Sequence, residues 1–254
     1  MKYNELTALI LAHDEGYMLC DCAKSILSAW ENRANATNYI DLAFLFVLDN
    51  PSAETIDAAK QMSSILVGGR KASSRILVTS FGDPGLARNA GIKTLDDKSL
   101  VLLIDSDDLV GSLYFSLFEV SQDLTQGRLI LHPEFLVNFQ QKSIVYRQLP
   151  RNWQKTESLA AAFFSNPYDL NMIASAALLK GCQFHVARQD AGYGYEDWHF
   201  TLGTLLMGVV HDTIPRAIKY TRVKRASRNL LDRLGSSLTP PLGLDSIHDH
   251  RRIC

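Results

Sequence analysis

Cysteine is scarce. Cys20, Cys22, Cys182 and Cys254 show no repeated metal-binding spacing. A zinc-ribbon or disulfide-stapled scaffold is therefore excluded, and ordinary reduced thiols are expected. Equally missing is any run approaching the roughly 20 apolar residues needed to cross a bilayer. The apolar stretch 6–12 follows Glu5 and is not trailed by a small-residue cleavage site, so it reads as a buried first strand and not as a signal peptide. An excess of charge of one sign is absent too: 26 basic residues face 27 acidic ones, a formal net charge of −1. Such a balance offers no broad field to hold nucleic acid or an anionic membrane, so an anionic ligand has to be caught by a local site. Internal repeats are not evident. These absences predict a soluble, cytoplasmic protein, with at most a peripheral place at the inner membrane face.

What is present is apolar material, 46% of 254 residues, enough for one substantial core. In the first half, continuous apolar runs alternate with amphipathic stretches. Strands are expected at 6–12, 43–48, 75–79 and 100–104, continuously apolar as in a sheet covered on both faces. Between them, Leu19, Ala23, Ile26, Leu27 and Trp30 share one helical face. Ser52 caps a helix through Met62 with Ile56 and Ala59 inward, and 86–94 reads as a third helix. The alternation predicts an α/β fold, a Rossmann-like and mostly parallel central sheet flanked by helices. Ligands gather outside the carboxyl ends of such strands. Asp14, Asp49, Gly82-Asp83 and Asp105 all fall just after strands, so chemistry is expected along that edge.

The second half is less regular. A hairpin is expected over 128–149 with its turn near Gln140-Gln141, helices over 156–164 and 197–207, and a strand over 214–223. After Arg228 the pattern fades into a proline-containing, polar stretch. The expected organisation is one domain over 1–228 and a loosely ordered tail or linker over 229–254.

Three segments could carry chemistry. Asp105-Ser-Asp107 ends a buried strand, and carboxylates two apart on extended backbone project the same way. Such hard oxygen ligands suit Mn²⁺ or Mg²⁺ bridging a diphosphate, although Asp is also common in plain strand-end turns. Gly82-Asp-Pro-Gly-Leu-Ala-Arg-Asn-Ala-Gly91 leads a turn into a helix with Arg88 in an early turn. Its N–H groups and guanidinium could meet an anion, yet the Lys-Ser/Thr of a Walker loop is missing, and an ordinary loop-to-helix junction has the same pattern. Gly192-Tyr-Gly-Tyr-Glu-Asp-Trp198 places Glu196 and Asp197 at a helix start. There the helix dipole favours the carboxylate, which suits a base taking a proton from a hydroxyl and equally suits simple capping.

In order along the chain, His13-Asp-Glu15, Val47-Leu-Asp49, Gly85-Leu-Ala-Arg-Asn-Ala-Gly91, Leu103-Ile-Asp-Ser-Asp-Asp108 and Gly194-Tyr-Glu-Asp-Trp198 resemble the family-two glycosyltransferases of GT-A fold. The resemblance covers about residues 5–229 and implies an inverting sugar transfer from a nucleoside-diphosphate sugar, a UDP-sugar first, to a hydroxyl of a glycan or other acceptor, as in polysaccharide biosynthesis. It implies that Asp14, Asp49, Asp83 and Arg88 hold the nucleotide, that Asp105 faces the ribose or sugar, that Asp107 is the metal ligand and that Asp197 is the base.

Two departures stand out. Asp49-Asn-Pro-Ser52 lacks the second acidic residue expected there, and Lys224 stands where relatives carry a late His. Lysine does not ligate a metal when protonated, so Lys224, like Arg222 or Arg225, could neutralise the diphosphate directly, although a basic surface strand has the same pattern, and metal dependence is the weaker expectation. Two other readings remain: a degenerate transferase that binds nucleotide without turnover, and a haloacid-dehalogenase-type phosphatase, whose first motif Leu103-Ile-Asp-Ser-Asp-Asp-Leu109 resembles. That motif usually opens its fold, whereas three strand–helix units precede it here.

Overall fold

The computed structural model describes residues 5–33, 40–69, 71–140, 144–151, 160, 162–186 and 195–223. The expected tail, Lys224, Arg225 and Cys254 lie outside the described residues, as does most of the expected helix over 156–164.

The first half is built as strand and helix in turn. It comprises β1 (Glu5–Ala12), α1 (Met18–Glu31), β2 (Asp41–Asp49), α2 (Ala53–Gly68), β3 (Ser73–Thr79), α3 (Pro84–Lys93) and β4 (Ser99–Asp105). Ser52 caps α2 by accepting the Thr55 N–H, and Asp83 caps α3 by accepting the Leu86 N–H with Pro84 in the first turn. The four strands are parallel and pair in the order β3-β2-β1-β4. Their register sets Ala12 beside Leu48, Asp49 beside Thr79 and Leu11 beside Asp105. All four carboxyl ends therefore open on one edge.

Both faces of the sheet are covered, which is why the strands read as continuous apolar runs. Leu6, Ala8, Ile10, Phe44, Phe46, Leu48, Leu100 and Leu102 pack with Leu19, Ala23 and Ile26 of α1 and Ala58 and Met62 of α2. The alternate residues Leu9, Leu45, Val47, Val101 and Leu103 pack on the other side with Ala87 and Ile92 of α3. There the approach is close: a Cβ on Gly91 would meet Val47 Cγ2 at 2.6 Å and Leu9 Cδ1 at 2.9 Å. The third strand differs from its neighbours. As the sheet edge, β3 leaves Ile76 and Val78 exposed.

The second half continues the same sheet. It adds β5 (Leu109–Val110), α4 (Gln122–Thr125), β6 (Leu129–Phe139), β7 (Val145–Arg147), β8 (Met172–Ser175), α5 (Ala176–Gly181), α6 (Glu196–Leu206) and β9 (Val210–Arg222). The expected hairpin appears as antiparallel β6 and β7, with Gln140 at a φ of 74° after β6. Beyond β4 the order is β8-β6-β9-β5, with β8 antiparallel to both β4 and β6 and β9 parallel to β6. The sheet is thus mostly parallel and flanked by helices. The short strand β8, only four residues, was not legible beforehand, yet it joins the two halves.

A buried polar column runs beneath this junction. His132 Nδ1 donates to the Asn171 carbonyl at 3.2 Å, so its Nε2 accepts from His211 Nδ1 at 2.9 Å, and His211 Nε2 lies 2.9 Å from the Thr204 hydroxyl. Tyr168 stacks on both rings. Burial holds His132 down at about 4 and His211 well below its usual value. Because these folded values lie below the unfolded one, the pair's contribution is complete above about pH 6.5 and is lost as pH falls towards 4. Buried Asp108, pushed up to about 7 chiefly by desolvation, acts in the opposite direction. A ring-by-ring nitrogen NMR titration separates the two effects. Both imidazoles are expected to remain neutral at pH 5, and titration near 6.5 would contradict the buried pairing.

Candidate functional site

The site begins where β1 and β4 end together. The Ser106 N–H donates to the Leu11 carbonyl at 2.9 Å, holding the Asp105–Asp107 turn against the loop after β1. Glu15 reinforces this join. Its Oε2 accepts the His13 N–H at 2.6 Å, the Asp14 N–H at 3.1 Å and the Ser106 hydroxyl at 3.3 Å. His13 in turn donates from Nδ1 to the Asp49 carbonyl at 2.6 Å, linking the β1 and β2 loops. Asp14 is exposed on this rim.

Asp49 is buried at the end of β2. Its Oδ1 accepts the Thr79 hydroxyl at 2.9 Å and the Phe81 N–H at 2.7 Å, so it shapes the loop that follows β3. Asp83, also buried, spends Oδ1 on the Leu86 N–H as the cap of α3. The glycine-rich segment has structural reasons as well. A Cβ on Gly85 would meet the His185 carbonyl at 2.5 Å, while Asn89 exchanges two hydrogen bonds with the backbone of Phe184. These contacts clamp 184–185 onto α3, on the same face as α5.

Arg88 joins the two halves. Only 3% exposed, it extends Nη2 to Asp105 Oδ1 and Nη1 to Glu196 Oε1, both at 2.8 Å. A planar guanidinium suits two carboxylates at once, and both partners raise its affinity for the proton far enough to outweigh burial. The strand-end turn expected to hold a donor and the helix expected to carry a base are thereby fixed to one cation. Arg88 bridges these two carboxylates within the chain.

Asp197 follows Glu196 in the first turn of α6. The preceding Tyr195 has a φ of 60°, a left-handed conformation uncommon for a non-glycine residue, and it turns the chain into the helix. The Asp197 carboxyl is pushed up to about 7, first by burial and then by the charge of Glu196. Asn166 Nδ2 donates to Asp197 Oδ2 at 3.1 Å, and the Trp198 indole donates to the Ala162 carbonyl at 2.7 Å. Trp198 is accordingly packed between elements.

The third acidic residue of the turn, Asp108, has its own partners. Lys219 of β9 lies 2.7 Å from Asp108 Oδ2 and 2.6 Å from Asp169 Oδ1, and the Arg222 N–H donates to Asp108 Oδ1 at 3.0 Å. Desolvating three charges is offset only because each is paired. Their effect is to fix β9 beside the Asp105–Asp107 turn.

The same fold recurs in solved structures of very different sequence. TarS 1–349 of S. aureus, solved with UDP-GlcNAc, is 14% identical, with a TM-score of 0.58 over 100% of this chain and 65% of that one. GalNAc-T7, solved with UDP, GalNAc and Mn²⁺, is 11% identical, with a TM-score of 0.55 over 87% and 44%. The mannosyltransferase PcManGT of Pyrobaculum calidifontis, solved with GDP-Man and Mn²⁺, is 11% identical, with a TM-score of 0.53 over 97% and 68%. The chain has the GT-A glycosyltransferase fold. No family model matches the sequence, and no curated protein sequence matches it. The chain spans about two thirds of the TarS 1–349 chain.

A divalent cation was expected at the Asp105–Asp107 turn, which follows β4. Among the described residues no group of three or more His, Cys, Asp or Glu converges. Mn²⁺ and Mg²⁺ do not require one, since one or two carboxylates commonly hold the ion while phosphate oxygens and water complete its shell. Asp107, half-buried beside bridged Asp105, fits that pattern. Cys20, Cys22 and Cys182 are buried thiols that donate to the Ala58 carbonyl, the Asp105 carbonyl and Met207 Sδ.

Several of these roles had no sequence signal. Asn166 sits in an unpatterned stretch, and Lys219 looks like any polar residue of a half-exposed strand. Glu15 and Glu196 were inside recognisable motifs without a part of their own.

The bridge carries a direct test. Arg88→Ala leaves Glu196 and Asp105 without their cation and is expected to lower unfolding free energy by about 2 kcal/mol in urea. That is less than the roughly 3–5 kcal/mol of a fully buried pair, because Asp105 is partly solvated. Arg88→Lys should recover only part, since one ammonium cannot span both carboxylates as a fork. A loss below about 0.5 kcal/mol in the alanine variant would mean that the bridge does not hold the halves together.

Proposed function

We propose that the chain transfers a sugar from a nucleoside-diphosphate sugar to a hydroxyl acceptor with inversion at the anomeric carbon. The observation that carries this reading is the Asp105–Arg88–Glu196 bridge, which ties the turn that contains Asp107 to the helix start that contains Asp197. The neighbours solved with UDP-GlcNAc, with UDP and GalNAc, and with GDP-Man support a nucleotide sugar as donor class.

The nucleotide lies along the β1–β3 loops, near Asp14 and over the wall ordered by Asp49 and Asp83. Asp105, its Oδ1 fixed by Arg88, faces the ribose or sugar. Asp107 would hold Mn²⁺ or Mg²⁺, which would supply positive charge to offset that developing on the diphosphate. Lys224, outside the described residues, is the further candidate for that charge. Asp197 accepts the acceptor's proton as its oxygen attacks the anomeric carbon and the bond to the diphosphate breaks, so the sugar configuration inverts. A base raised to about 7 is half ionised near neutrality. Turnover is therefore expected to rise as pH increases through about 7 and to level off above it.

A panel of nucleoside diphosphates and their sugars, each melted with Mn²⁺ and with a chelator, tests the reading first. A ligand at about a hundredfold its Kd adds roughly 2.7 kcal/mol, or about 5–10 °C in Tm for a chain of this size. A selective, Mn²⁺-dependent shift that vanishes in Asp107→Ala is expected. Survival of the shift in chelator would move the diphosphate contact to the basic residues after β9, and no shift with any nucleotide would exclude the transferase reading. Asp197→Asn should keep the shift and lose about 100-fold or more in turnover. Near-normal turnover in that variant would remove the base assignment. Binding without transfer across acceptors would instead favour a degenerate, nucleotide-binding protein.

A further inference from the structure

Asp197 is held by a residue 31 positions earlier in the chain. Asn166 Nδ2 donates to Asp197 Oδ2 at 3.1 Å. The amide has one orientation available, because its Oδ1 accepts the Tyr168 N–H at 3.3 Å. The NH₂ end must therefore face the carboxylate. Pro167 follows directly, which disfavours helical backbone at Asn166.

The surroundings make this one bond consequential. Glu196 beside Asp197 and Asp169 from the chain before β8 both oppose a charge on Asp197, while Arg88 from α3 and the Trp198 N–H favour it. Arg88 is already shared between Asp105 and Glu196. The Asn166 amide adds a neutral donor aimed at a single oxygen. A purely architectural role is already met by another contact, since the Trp198 indole bonds the Ala162 carbonyl and ties the same segment to the same turn of α6.

We propose that Asn166 is a positioning residue for Asp197, holding Oδ2 so that Oδ1 is presented to the acceptor hydroxyl and the ionised form is favoured. This rests on Asp197 being the base. Without the amide, the carboxylate would rotate about its last torsion and face the same opposing charges with one donor fewer, so it would be both less oriented and less ionised at neutral pH.

The experiment uses the full chain and two variants. Asn166→Ala removes the donor, and Asn166→Asp keeps the shape while replacing the donor by a like charge. The first readout is the Asp197 carboxyl pKa from carbon NMR, which needs neither donor nor acceptor. The second is the pH profile of nucleoside diphosphate release from UDP-GlcNAc, or from whichever nucleotide sugar the melting panel selects. Asn166→Ala is expected to raise the Asp197 pKa by about half a unit to one unit, and Asn166→Asp by more. In the alanine variant kcat at pH 7 should fall about tenfold with the donor KM unchanged. The deficit should shrink at pH 9 by the part due to ionisation. An Asp197 pKa unmoved in both variants would overturn the proposal, and the aspartate variant decides alone if the alanine variant does not fold. Loss of turnover with an unmoved pKa would overturn the positioning role and leave the base assignment standing. Full turnover in Asp197→Asn would remove the base assignment and the proposal with it.

Discussion

Everything at the open edge of the sheet depends on where the Arg88 guanidinium sits. Removing an arginine from water is costly, and the cost is met here by two carboxylates from distant parts of the chain. Asp105 ends the fourth strand and Glu196 begins α6, so the ionic joint forms only when the parallel half and the irregular half have docked. The close fit of Gly85 against His185 and the Asn89 clamp on Phe184 keep α3 at the distance that the joint needs.

Around that joint the acidic residues divide by environment. Asp49 and Asp83 are buried and committed through Oδ1 to loop and cap bonds, so they act on a ligand through the backbone they order. Asp108 is fixed by Lys219, whose second partner Asp169 belongs to the chain leading into β8. Asp107 and Asp14 remain nearer to solvent on the rim. Asp197 shares with Asp108 a raised affinity for a proton, which comes first from desolvation and, at Asp197, next from Glu196. A single edge thus holds carboxylates suited to building loops, to meeting a cation and to exchanging a proton.

The junction between the halves is also where polar groups are buried most deeply. Asn171 connects them: its amide donates to the Leu103 carbonyl at 3.0 Å, its Oδ1 accepts the Tyr114 hydroxyl, and its own carbonyl accepts His132. A buried polar group without partners would be unfavourable by several kcal/mol, on the order of a lost hydrogen bond each. Satisfied, the same groups permit only one register of β8 against β4 and β6. The neutral histidine pair extends that constraint to Thr204 near the end of α6.

The sequence by itself determined the first four strands, their helices and the single edge on which the strands' carboxyl ends open. Those features follow from local rules: apolar runs that must be buried on both faces, caps at Ser52 and Asp83, and carboxylates placed after strands. It also determined that Asp105, Asp107 and Asp197 stand at element ends, and the resemblance carried by the ordered motifs pointed to the fold that the structure has. Tertiary structure alone decided which partners each group finds. The two carboxylates that Arg88 bridges lie 17 and 108 residues away from it. The four-residue β8, the Lys219 pairing and the Asn166 bond to Asp197 had no local pattern to reveal them. Each depends on separations that a periodic reading cannot see, since burial and charge pairing are properties of the packed chain and not of any window along it.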